Sequence, residues 1–83
     1  MKKYDVYFKP QAEKDIKLFP SKIKSRIIDK IEEMSDDLKG DVKHLTVMTP
    51  EFRLRIGDYR VLFEIEGNTI IIYRIVHRKD AYR

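Results

Sequence analysis

The residues of this chain best suited to chemistry are Arg53, Arg55 and Arg60, followed by a basic carboxy-terminal run, His77-Arg78-Lys79, with Tyr82 close behind. Arg53 and Arg55 alternate with Phe52, Leu54 and Ile56, the period-two pattern of a strand. If Gly57-Asp58 is a two-residue turn, Arg55 lies directly opposite Arg60, and three like charges share one face. Such a cluster repels itself unless acids or an anionic ligand occupy it, and guanidinium groups match phosphate oxygens in fork geometry. The pattern therefore suits a phosphate site. It equally suits a solvated outer face on which Glu64 and Glu66 supply ion pairs. Histidine titrates near neutral pH, and tyrosine holds its proton until about pH 10 unless nearby cations lower that value. With the arginines stabilising a pentavalent phosphate, Tyr82 or His77 would take or give a proton, the division of labour needed for cleavage of RNA by its own 2′-OH. Taken singly, a histidine at the end of a strand is more often a surface or capping residue.

The elements that must position these residues are legible in the periodicity. Gly67-Asn68 is a second two-residue turn candidate, so the stretch from Phe52 onward predicts a three-stranded antiparallel meander with Phe63 opposite Ile72 and Glu66 opposite Thr69. In this register Phe52, Leu54, Ile56, Tyr59, Val61, Phe63, Ile65, Ile70, Ile72 and Val76 share the core face. Arg53, Arg55, Arg60, Leu62, Glu64, Ile71, Tyr73 and Ile75 fall on the reverse face. Arg74 lands on the core face, where an unpaired charge is too costly, and is expected to pair with Glu13 or Asp15, reach an edge, or mark a register error.

Upstream, residues 4–8 alternate as a first strand, and Pro10 opens a helix over 10–18 with Ala12, Ile16 and Phe19 on one face. Pro20 stops that helix. Ser21 is a candidate N-cap for a second one, in which Ile23, Ile27, Ile31, Met34 and Leu38 recur at helical spacing. Residues 36–49 lose periodicity and are expected to form a loop, with room for a short extended piece at 44–47. The fold class is α+β, with an N-terminal strand, a two-helix hairpin and the meander, the helices packed on one face of a twisted sheet.

A chain of 83 residues is one small domain, 1–83, with no cysteine for disulfides or thiolate metal sites. Glu32, Glu33, Asp36 and Asp37 stand at the polar end of a helix with no histidine to complete a ligand set, so neither a metal nor a cofactor is expected. No stretch approaches the about 20 apolar residues of a membrane span, and a cytoplasmic location is expected, with no membrane partner. A net charge of +4 favours a polyanionic partner only mildly.

At RLRIGDYRVLFEI and the terminal HRKDAYR, the chain resembles the RelE/ParE superfamily of small toxins from bacterial and archaeal toxin–antitoxin pairs, over nearly its whole length. The resemblance implies two helices on a twisted, mostly antiparallel sheet of about four strands. It also implies a RelE-type, ribosome-dependent mRNA endonuclease that cuts in the A site by 2′-OH attack, with a cognate antitoxin, the ribosome and mRNA as partners. Carried over by position, Arg60 and Arg78 would hold the scissile phosphate, and Tyr82 would orient or deprotonate the attacking hydroxyl. Arg53 and Arg55 stand where the best-known RelE enzymes have lysines, and with Lys79 they would bind RNA phosphates. Because arginine keeps its proton, the leaving group's proton would come from His77 or from a ribosomal group. The segment between Arg78 and Tyr82 is shorter than in those enzymes. ParE-like members share the scaffold but poison DNA gyrase, and a catalytically inactive RNA-binding module is a third reading, for which Tyr73 is the one strong stacking candidate.

Overall fold

Alternation from Phe52 onward is expressed as a meander of three strands, and the helical spacings upstream as two helices that close over it. The computed structural model describes residues 2–45 and 50–79. Among these, the order is β1 (Asp5–Phe8), α1 (Pro10–Lys17), α2 (Ser21–Met34), β2 (Asp41–His44), β3 (Phe52–Ile56), β4 (Tyr59–Glu66) and β5 (Thr69–His77). The strands form a single sheet in the order β1-β5-β4-β3-β2, with β1 parallel to β5 and every other pair antiparallel. Among the described residues, no helix is long and apolar enough to cross a membrane.

Both hairpins turn on two residues, and the register matches the expectation: Arg55 opposite Arg60, Leu54 opposite Val61, Phe63 opposite Ile72 and Glu66 opposite Thr69. Gly57 and Gly67 each have φ +58°, whereas Asp58 and Asn68 do not enter the positive region. A positive φ at the first central position alone is the type II′ pattern, which explains why the Gly-first order works here.

Three local expectations need correction. The second helix is capped by Pro20 instead of Ser21, with no side-chain cap hydrogen bond, and it ends at Met34. Leu38 lies beyond it in the left-handed region at φ 55° but still packs against the core. Residues 41–44, expected within a loop, pair with β3 as an edge strand, Val42 opposite Leu54 and Lys43 opposite Arg53. A four-residue strand with one apolar side chain carries no alternation to read; its partner specifies it. Residues 46 and 47 of the extended piece lie outside the described residues.

The third correction concerns β5. Leu62 faces Arg74 and Phe63 faces Ile72, so Tyr73 is an extra residue, a β-bulge. One inserted residue reverses the sense of everything after it. Ile75, expected on the reverse face, is therefore in the core at 1% exposure, while Val76 is buried at 9% exposure but pairs with Arg60, outside the core cluster. Arg74 leaves the core face, and its partner is Asp15, one of the two acids expected.

The Asp15 carboxylate accepts from Arg74 Nε at 2.8 Å and Nη2 at 3.2 Å, from the Ile75 main-chain N–H at 2.9 Å, and from Gln11 Nε2 at 3.1 Å. It thus fastens α1 to the part of β5 that runs beyond the end of β1. Burial pushes the Asp15 pKa up, but the hydrogen bonds from Arg74, Ile75 and Gln11 and the charge of Arg74 outweigh it, so the carboxyl titrates below its ordinary 3.8. Ala12 from α1 and Ile27, Ile31 and Met34 from α2 close the core over Leu54, Ile56, Val61, Phe63, Ile70, Ile72 and Ile75. Each large apolar side chain buried there contributes about 1.5–3 kcal/mol.

Candidate nucleic-acid interface

The sheet face turned away from the helices carries two cross-strand rows, because cross-strand partners share a face. Asp41, Arg55, Arg60 and Val76 make one row, and Lys43, Arg53, Leu62 and Arg74 the next. The three arginines singled out by spacing therefore do come together, joined by Lys43, which the sequence reading missed because β2 has no readable period.

Their states differ. Arg55 is exposed and has no hydrogen bond or ion pair to a described residue. Arg53 has a side chain only 12% exposed, and its Nη1 donates to the Asp41 carbonyl at 2.8 Å and lies 3.3 Å from the Asp41 carboxylate. Arg60, expected on the solvent side, is only 7% exposed. Its Nη1 donates to the Gly57 carbonyl at 3.0 Å and the Tyr59 carbonyl at 3.1 Å, while its Nε is buried without a partner. A buried guanidinium N–H left unpaired is costly, and an anion delivered to this face would relieve it. The acids expected to neutralise the cluster do not: the Glu64 carboxylate accepts the Glu51 main-chain N–H, and Glu66 is exposed.

The Gly57-Asp58 turn also gathers Arg78, whose main-chain N–H donates to the Asp58 carbonyl at 2.7 Å and whose Nε lies 3.7 Å from the Asp58 carboxylate. One turn thus holds Arg60 and Arg78 at the same end of the sheet. Lys79 is exposed, and its N–H donates to His77 Nδ1 at 3.3 Å. His77 falls on the other face. The bulge at Tyr73 brings it opposite Tyr59, with ring centroids 5.5 Å apart, on the side of Phe19 and the helices. The sheet therefore separates His77 from Arg53, Arg55 and Arg60. Tyr82 lies outside the described residues.

Residues 6–82 match the family model described as the ParE toxin of the type II toxin–antitoxin system parDE. A curated relative, Toxin RelE3 of Methanocaldococcus jannaschii, is 39% identical over 82 residues, covering 93% of each chain. This chain is a toxin of the RelE/ParE superfamily. A chain in the crystal structure of a RelB–RelE antitoxin–toxin complex from Methanococcus jannaschii is 36% identical, with a TM-score of 0.75 over 92% of this chain and 94% of that one. A chain of the RelBE2 complex from Mycobacterium tuberculosis is 28% identical, with a TM-score of 0.80 over 92% of this chain and 99% of that one. The toxin is thus the RelE-family member of a type II toxin–antitoxin system, as the RLRIGDYRVLFEI and HRKDAYR motifs imply.

What the toxin's outer face offers chemically is fixed positive charge. Arg55 presents a free fork, Arg60 a rigid one held by two carbonyls, and Arg53 a third that is half engaged. Guanidinium forks match phosphate oxygens in geometry, which is the anion chemistry such a face is suited to.

Proposed function

We propose that the toxin is a ribosome-dependent mRNA endonuclease. The observation that carries this reading is the directly opposed pair Arg55 and Arg60, one free and one buried with an unpartnered Nε, on a face where Glu64 is engaged by the Glu51 main chain and Glu66 pairs with neither arginine. A message phosphate held there is attacked by the adjacent ribose 2′-oxygen, whose proton passes to a base. The bond from phosphorus to the 5′-oxygen breaks, and the 5′-oxygen takes up a proton, leaving a 2′,3′-cyclic phosphate and a 5′-hydroxyl. Arg60 and Arg78, gathered by the Gly57-Asp58 turn, hold the phosphate and its growing charge. Tyr82 keeps the role of orienting or deprotonating the attacking hydroxyl. His77, on the other face, is not positioned to protonate the leaving oxygen, so that proton comes from the ribosome or from water. The work is done in the cytoplasm, where ribosomes translate.

The partner in the resting cell is a cognate antitoxin, as in the RelB–RelE complexes of its relatives. An acidic segment that folds on binding suits the basic face. The match to the ParE family model keeps inhibition of DNA gyrase as the second reading. Purified toxin added to translating ribosomes, with message ends mapped by primer extension, separates the two. Codon-phased cuts that require ribosomes support the nuclease; intact message together with blocked gyrase supercoiling supports the gyrase reading. Arg55→Ala is the clean site variant, since Arg55 touches no described partner: cleavage should fall at least ten-fold while stability stays within about 0.5 kcal/mol of the parent. Undiminished cleavage by the folded variant removes Arg55 from the site.

A further inference from the structure

Among the described residues, Asp41 is the acid whose carboxylate lies within ion-pair distance of one of Arg53, Arg55 and Arg60. It opens β2, stands opposite Arg55 in register, and approaches Arg53. Its two contacts with Arg53 have different characters. The main-chain carbonyl accepts from Arg53 Nη1 at 2.8 Å and fixes the guanidinium, while the carboxylate is 57% exposed and stands further off at 3.3 Å. Removing only the carboxylate charge leaves the orienting bond in place. The carboxylate therefore does little to position Arg53 and mainly cancels part of the charge that a phosphate would meet.

We propose that Asp41 is an internal competitor for the phosphate site: its carboxylate occupies part of the arginine face and weakens binding of free single-stranded RNA. This rests on the nuclease reading. An exposed carboxylate can swing into water when a phosphate arrives, at the cost of one screened ion pair. A ligand held beside the face at high effective concentration, as a message gripped by a ribosome is, overcomes that cost easily; RNA loose in solution does not. Asp41 thus tilts the toxin towards presented RNA.

The test is binding of a fluorescein-labelled ten-nucleotide RNA to the full-length toxin and its variants, by anisotropy, between 50 and 200 mM salt. Asp41→Asn should bind about three- to ten-fold more tightly at the low-salt end. Its plot of log affinity against log salt should be steeper by about 0.7, the increment for one further phosphate on a single strand. Asp41→Ser, which loses the charge with less bulk, should behave alike, and thermal melting checks that both fold. Asp29→Asn makes the same charge change on an exposed position of α2, beyond the sheet, and should shift affinity less than two-fold. Equal affinity of Asp41→Asn and parent, weaker binding by the variants, a shift matched by Asp29→Asn, or no binding by any of them overturns the proposal. The Arg55→Ala protein tells the two readings apart. If it binds more weakly than the parent while Asp41→Asn is unchanged, only the competitor role fails; if it binds as the parent does, the face itself is not the RNA site.

Discussion

Asp15 is where α1, the bulge and the sheet edge are joined, and its removal has a calculable cost. In Asp15→Ala the Ile75 main-chain N–H loses its acceptor at 2.9 Å in a segment where Ile75 is 1% exposed. An orphaned buried N–H costs about 1–3 kcal/mol. Arg74 has a side chain 47% exposed and can turn to water, so its lost pair adds only about 0.5–1 kcal/mol. Together these give about 1.5–4 kcal/mol, which in a domain of this size lowers Tm by roughly 6–32 °C. Asp15→Asn keeps an oxygen for the Ile75 N–H and loses the charge, so it should cost less than half as much. The pH dependence has a definite sign. The Asp15 carboxyl titrates lower in the folded chain than its ordinary 3.8, so its stabilising contribution is complete above that value and is lost as pH falls through the folded pKa. Urea titrations of parent and Asp15→Asn should therefore show a stability gap that is constant from pH 7 to about 5, narrows as pH falls below about 4, and closes at lower pH. A loss under about 1 kcal/mol in Asp15→Ala, or a gap that widens in acid, refutes this account of the joint.

Two further perturbations test the frame of the site, beside the Arg55 and Asp41 variants above. Gly57 and Gly67 share φ +58°, but a Cβ at Gly57 would stand 3.1 Å from Arg26 Nη2 whereas one at Gly67 meets open space. Each Gly→Ala change should cost the left-handed penalty of about 1–2 kcal/mol, since the Arg26 tip can give way, and only Gly57→Ala should also reduce cleavage, because backbone strain there acts on the carbonyl that holds Arg60. Equal loss of cleavage in the two folded proteins would contradict this. Phe63 is fully buried and stacks on Phe52 at 5.5 Å, so Phe63→Ala should lose about 3–5 kcal/mol in chemical denaturation, and a loss below about 2 would mean that the core closes over the gap.

The sequence by itself determined the two turns, the pairing of Arg55 with Arg60 and the helical faces, because period, glycine placement and proline are local signals that the chain expresses wherever it packs. It also marked Arg74 as a residue that had to be paired, at an edge or out of register, and the structure shows both a register shift and pairing with Asp15, one of the two acids named. Three things were decided only by the tertiary structure. The bulge at Tyr73 depends on α1 supplying Asp15 to the edge of β5, and nothing within residues 69–77 announces it; yet it sends Ile75 inwards and carries His77 away from the arginines. The strand at 41–44 exists because β3 offers it an edge, and with it come Lys43 and Asp41, neither visible as a site residue beforehand. The burial of Arg60 came from packing as well: alternation says which face a side chain takes, but only the assembled sheet says how much water reaches it.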